Sequence, residues 1–304
     1  MKHLLLGVLI IMATMGLILN NTEYAFACEK CGDEKNTQAI VVVSFGTTFD
    51  ESREKCIESV ENKITEMFPF YEVRRAFTST IVMKKLADRG IQVDSLEQAL
   101  TKLKNEGYKD IVIQSTHLIP GDEYNNKVVN VVEKYKNDFH KISIGRPVLT
   151  YDGVNNKHND YNDFVKALKK QLPKNMKNDT KIIFMGHGSN HENGSVYPKL
   201  QLELDKQDVR GYVAVVEAGA NPNFESVLQK LETDKAVKNI ILMPLMLVAG
   251  DHANNDMAGT EKNSWKNILE SKGYKVNVYM HGLGENEEFQ NIYVKHIKDA
   301  ISGK

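Results

Sequence analysis

Three side chains of metal-ligand type stand at the ends of apolar runs in the second half of the chain. In KIIFMGHGSNH, Ile182 to Met185 read as a buried strand that gives way to a turn at Gly186-His187-Gly188. GYVAVVEAG puts Glu217 at the close of a second run, and NIILMPLMLVAGDHANND puts His252 just past a third. Two imidazoles and a carboxylate suit a divalent transition metal, since they supply borderline donors and offset part of its charge. In an open α/β sheet, ligands bind beyond the carboxyl ends of the strands, so the three side chains converge if their strands are neighbours. A lone histidine at such a turn is equally well explained by a structural hydrogen bond; recurrence at three strand ends carries the reading. His191 is a nearby alternative ligand, directed to solvent if the turn after His187 runs as expected.

His117 occupies the matching strand end of the first half and is followed by Gly121-Asp122-Glu123. It could contact a substrate, donate a proton, serve as an axial metal ligand or merely cap its turn. Asp251, Asn254, Asn255 and Asp256 either cap a loop or orient His252 from behind. Two other chemistries fit poorly. A two-metal phosphoesterase needs several aspartates bridging its ions, and none lies near the early strands. A phosphohistidine enzyme needs an arginine beside its histidine, where this chain has glycine. No G-x-G-x-x-G loop follows Val43, so no nucleotide is expected.

The elements that must position these residues alternate regularly. Ala39 to Phe45 is a valine-rich apolar run, the pattern of a central parallel strand covered on both faces. Asp50 caps a helix with Ile57, Val60, Ile64 and Met67 on one face. Strands are expected at 71–77, 110–116 and 142–149, with helices at 81–87, 96–103 and 128–135. A polar stretch from Asp152 to Asp160 marks a boundary. Beyond it come strands at 181–186, around 212–216, at 239–248 and at 276–280, with helices at 162–172, after the 181 strand, at 224–231, around Trp265 and at 285–301. This is the doubly wound, Rossmann-like α/β pattern, in two domains at 39–150 and 160–304. The halves align with each other: FGTT on HGSN at an offset of 142, Tyr71 on Tyr212 at 141, Gly121-Asp122 on Gly250-Asp251 at 129. Duplication of one unit explains this, with the ligand set kept on one copy and a cleft expected between the two.

With 304 residues, 41% hydrophobic and 26% charged, the chain can bury a substantial core, and a net charge of −1 gives no reason to expect nucleic acid as partner. Lys2 and His3 precede an apolar run from Leu4 to Leu19, and Ala25-Phe26-Ala27 has the small-x-small form of a signal-peptidase site. Residues 1–27 are therefore expected to be an export signal, 28–38 a disordered linker, and the mature protein extracytoplasmic, in the periplasm or at the cell surface. Membrane attachment is expected only through a lipid on Cys28. Cys28 and Cys31 sit in too polar a segment for a redox site, and Cys56 reads as a small buried apolar residue.

The motifs S-F-G-T-T, Q-S-T-H-L-I-P-G-D-E-Y, G-H-G-S, V-E-A-G and G-D-H-A-N-N-D-M-A-G together resemble those of the anaerobic sirohydrochlorin cobaltochelatases, class II chelatases similar in fold to ferrochelatase. The resemblance covers residues 39 to 302. It implies two similar α/β domains, a tetrapyrrole held between them and ATP-independent insertion of Co²⁺, with Fe²⁺ or Ni²⁺ as alternative metals. Carried over by motif, His187, Glu217 and His252 would bind the incoming ion, with one histidine accepting pyrrole protons. His117, Glu123, Ser44 and Thr47 would contact the macrocycle, and a homo-oligomer is expected. Because ligating histidines must be neutral, metal loading and turnover are expected to fall below about pH 6. The export signal departs from the cytoplasmic setting of cobalamin-pathway chelatases. An exported carrier of metal or haem on the same fold is therefore the alternative.

Overall fold

The computed structural model describes residues 37–188 and 195–303, so the expected signal segment, Cys28, Cys31 and His191 lie outside the described residues. Valine-rich β1 (Gln38–Ser44) starts at the last residue of the expected linker, and Ala39 to Val43 are wholly buried, as a strand flanked by parallel neighbours and helices requires. It pairs with β2 (Glu72–Phe77) on one side and β3 (Asp110–Ser115) on the other, and β4 (Lys141–Gly145) closes the sheet in the order β2-β1-β3-β4. The second half repeats this with β5 (Thr180–Gly186), β6 (Gly211–Val215), β7 (Asn239–Leu245) and β8 (Lys275–Val278), ordered β6-β5-β7-β8. All pairings are parallel. The duplicated α/β pattern expected from the sequence is thus present, and its crossovers are helical as parallel strands demand.

Two strands end sooner than expected. β4 stops at Gly145 rather than Leu149, because Pro147 has no N–H to offer a ladder. β7 stops at Leu245 rather than 248; Leu245 faces Gly186, the last residue of β5, and no paired strand continues beside it.

The first helix, α1, opens as Asp50–Ser52, passes through a π-helical turn at Arg53–Glu58 and continues over Ser59–Met67. It buries Ile57, Val60 and Ile64, as well as Cys56. Met67, expected on the same face, is exposed, because the residue four after Ile64 is Phe68, and that ring enters the core instead. Helix α2 (Thr80–Ala87) is capped by Ser79, and α3 (Leu96–Glu106) by a Ser95–Gln98 capping box. Helix α4 comprises Asp122–Tyr124, a π turn at Asn125–Val129 and Asn130–Tyr135; a corresponding π turn, Ala253–Met257, follows β7. The sequences entering the two π turns, Gly121-Asp122-Glu123-Tyr124-Asn125-Asn126 and Gly250-Asp251-His252-Ala253-Asn254-Asn255, match at four of six positions.

The remaining helices are α5 (Asp160–Gln171), α6 (Val196–Lys206), α7 (Phe224–Thr233), α8 (Trp265–Ser271) and α9 (Glu287–Ser302). Although last in the chain, α9 packs on β3, β4 and α1 of the first half. Tyr293 donates its hydroxyl to the Thr116 carbonyl at 3.0 Å, and His296 donates from Nδ1 to the Arg146 carbonyl at 2.9 Å. Arg146 in turn binds Asp160 of α5 and Asp299 of α9. A single buried cluster runs from Ile40 and Val42 of the first sheet through Phe164, Phe289 and Tyr293 to Ile182 and Phe184 of the second. The expected boundary between 150 and 160 separates the sheets, while Thr37–Lys304 form one compact unit. No helix among the described residues is long and apolar enough to cross a membrane.

Candidate active site

The register makes the carboxyl ends of β5, β6 and β7 level: Gly186 faces Val215 on one side and Leu245 on the other. His187 therefore leaves its strand beside Glu217, and their backbones are tied, the Glu217 N–H donating to the His187 carbonyl at 2.8 Å. The two glycines around His187 are needed for different reasons. A Cβ on Gly186 would lie 2.5 Å from the Tyr197 ring, whose hydroxyl accepts the Gly188 N–H at 3.1 Å. Gly188 has φ +100°, and a Cβ there would lie 2.7 Å from that of Glu217.

His252 opens the π turn after β7, and its ring lies 5.0 Å from that of His187, nearly perpendicular at 77°. Asp256, one turn on, accepts from His252 Nδ1 at 2.7 Å. Asn254 and Asn255 instead bond to the Gly250 carbonyl and to Asp251, so only Asp256 orients the histidine. His187 donates from Nδ1 to the Gly188 carbonyl at 3.2 Å. In both rings the Nδ1 hydrogen is thus engaged, and the neutral imidazole keeps its lone pair on Nε2. Glu217 Oε2 lies 3.8 Å from His187, at Nδ1 rather than Nε2. The three expected ligands are neighbours, yet among the described residues no group of three His, Cys, Asp or Glu is close enough to hold a metal ion.

These residues line a cavity of about 650 Å³ whose other wall comes from the first half, including Thr47, His117 and Glu123. His117 is only partly buried as a residue, but its Nε2 is fully occluded and unpartnered, while Nδ1 lies 2.7 Å from Ser115 Oγ. Burial, with a smaller contribution from nearby His187, pushes this imidazole down to about 4, so it is neutral at physiological pH. Ser44, expected at the substrate, does not line the cavity. It is buried and accepts a hydrogen bond from the Thr116 hydroxyl at 2.9 Å, because the last residue of a central strand has a neighbour on either side.

Sequence reasoning did not find the apolar lining. Phe45 and Ile81, 50% and 68% exposed, lie against the cavity together with Phe49, Val82 and Val248. Their only sequence signal was membership of an apolar period, which core residues share.

The cavity is walled from both repeated α/β halves, with imidazoles and carboxylates at the strand ends. The fold is similar to that of SirB from Bacillus subtilis with Fe³⁺, at a TM-score of 0.58 and 15% identity over 88% of this chain and 98% of that one. It is also similar to DR2241 from Deinococcus radiodurans, described as a multi-domain protein structurally similar to chelatases, at a TM-score of 0.53 and 12% identity over 88% of this chain and 56% of that one. At sequence level, the model of the family described as Cobalt chelatase (CbiK) matches residues 38–302. The sirohydrochlorin cobaltochelatase of Salmonella typhimurium is 38% identical over 87% of this chain and 97% of its own length. Sirohydrochlorin cobaltochelatase CbiKC of Nitratidesulfovibrio vulgaris is 33% identical over 87% and 91%. The chain belongs to the cobalt chelatase (CbiK) family.

Proposed function

We propose that the protein inserts Co²⁺ into sirohydrochlorin within this cavity, with His187, Glu217 and His252 binding the incoming ion. The supporting observation is that the His187 and His252 rings lie 5.0 Å apart with Glu217 3.8 Å from His187, all three lining one cavity whose wall also carries exposed apolar side chains. The overall reaction exchanges two pyrrole N–H protons for the metal: all four ring nitrogens gain a bond to cobalt, and the two that carry hydrogen each give up a proton. A neutral imidazole at the chamber wall can accept such a proton and pass it to solvent, while the Glu217 carboxylate offsets the charge of the ion as it sheds water. The ligand side chains are 51%, 38% and 39% exposed, which leaves them free to turn toward an ion and away again. A substrate metal must be released to the macrocycle, and a closed tetrahedral site would retain it. Glu123 and His117 face the ring from the opposite wall. Export through residues 1–27 forms part of this proposal on sequence grounds.

The test is anaerobic incubation of the protein with sirohydrochlorin and Co²⁺, following the absorption change of metallation, beside a His187→Ala, His252→Ala double variant. Rapid metallation by wild type and a near-background rate for the variant are expected. Tight macrocycle binding with no acceleration by wild type would instead favour a carrier of metal or haem, with His117 of the cavity wall as its candidate ligand.

A further inference from the structure

The cavity wall is unequal in charge. Asp122, Glu123, Glu217 and Asp251 contribute carboxylates, whereas Lys85 is the one lysine or arginine among its described lining residues. Lys85 stands on α2 one turn after Ile81 and three residues after Val82, so all three share a helix face, and all three line the cavity. Ile81 projects an exposed apolar side chain there, which is unexplained by packing within the protein. Lys85 is also exposed, and no hydrogen bond or ion pair engages it among the described residues. The next cation on the chain, Arg89, is committed elsewhere, donating to the Thr48 carbonyl and pairing with Asp50.

An apolar side chain and an unpaired ammonium about 5–6 Å apart along a helix match a ligand that is apolar across its plane and anionic at its edge. A tetrapyrrole with acetate and propionate substituents is such a ligand, and an acidic wall would otherwise repel it. We infer that Lys85 pairs with a peripheral carboxylate of the macrocycle while Ile81 packs against the ring, so that α2 sets the orientation of the substrate and selects carboxylated rings. This rests on the chelatase reading for the identity of the ring. Lys85 is a specificity residue: it acts at the edge of the substrate and takes no part in proton or metal transfer.

The measurement is equilibrium binding of metal-free sirohydrochlorin to the full chain, followed by steady-state metallation, for wild type, Lys85→Gln and Lys85→Arg. A partly screened ion pair predicts about fivefold weaker binding and an equally raised KM in Lys85→Gln, with kcat unchanged and most of the loss restored by Lys85→Arg. The fully esterified macrocycle should bind wild type and Lys85→Gln equally, a result that a merely structural lysine would not produce. Unchanged sirohydrochlorin binding in Lys85→Gln, or a fall in kcat with KM intact, would overturn the assignment. Lys85-dependent binding without turnover by wild type would uphold it and sink the chelatase reading alone.

Discussion

His252 and Asp256 are spaced four apart, so a helical turn brings carboxylate and imidazole together at 2.7 Å. The carboxylate fixes the ring's orientation and tautomer and leaves Nε2 to face an incoming ion, which is what a transient ligand to a dication requires. Asp256→Ala should therefore weaken Co²⁺ binding about 10- to 100-fold, measured by calorimetric titration, with Asp256→Asn intermediate because it still accepts from Nδ1. Unchanged affinity in Asp256→Ala would remove Asp256 from the site. At this scale the sequence was informative about residue type and silent about roles within a cluster. The run Asp251 to Asp256 offers four polar side chains, and only the turn geometry separates the one that orients His252 from those that cap the loop.

Among the elements, the turn after β5 is the most constrained, because strand end, Tyr197 and Glu217 all approach its backbone. Gly186→Ala would place a methyl 2.5 Å from the Tyr197 ring, forcing the ring or the strand end to move. Such overpacking should cost about 1–3 kcal/mol in denaturant unfolding, together with a loss of metallation rate because His187 moves with the turn. A Gly186→Ala, Tyr197→Leu double variant should regain stability if the clash is the cause; equal destabilisation of both would point elsewhere. The eight strands and their alternation with helices were legible because buried parallel strands read as continuous apolar runs. The π turns were not, since Asp50 onward and Asp122 onward carry ordinary helical periodicity and the extra residue per turn leaves no compositional trace.

At the scale of the whole molecule, α9 and α5 bind the two sheets into one body through Arg146, Asp160, His296 and Asp299. Burial acts to raise the Asp160 carboxyl, but His296, Arg146 and the Tyr151 N–H outweigh it and hold the group at about 2, below its ordinary 3.8. As pH falls, the unfolded chain takes up this proton before the folded one. The stabilisation is therefore complete above about pH 4 and is lost as pH approaches 2, amounting to about 2 kcal/mol. Asp160→Asn should lose on the order of 3 kcal/mol near neutrality and show a flatter decline below pH 4, read from urea midpoints across that range. A variant with wild-type acid sensitivity would assign the decline to other carboxylates.

The sequence by itself determined the class of fold, the internal repeat, and the three side chains grouped at neighbouring strand ends, because hydrophobic period and turn composition are local and survive without coordinates. It also carried the family resemblance. Only the tertiary structure decided that the last helix belongs against the first sheet, that Ser44 is sealed behind Thr116, and that Phe45, Ile81 and Lys85 face the chamber. Those facts depend on which surfaces meet after the chain has doubled back, and an apolar residue lining a cavity has the same sequence signature as one filling a core.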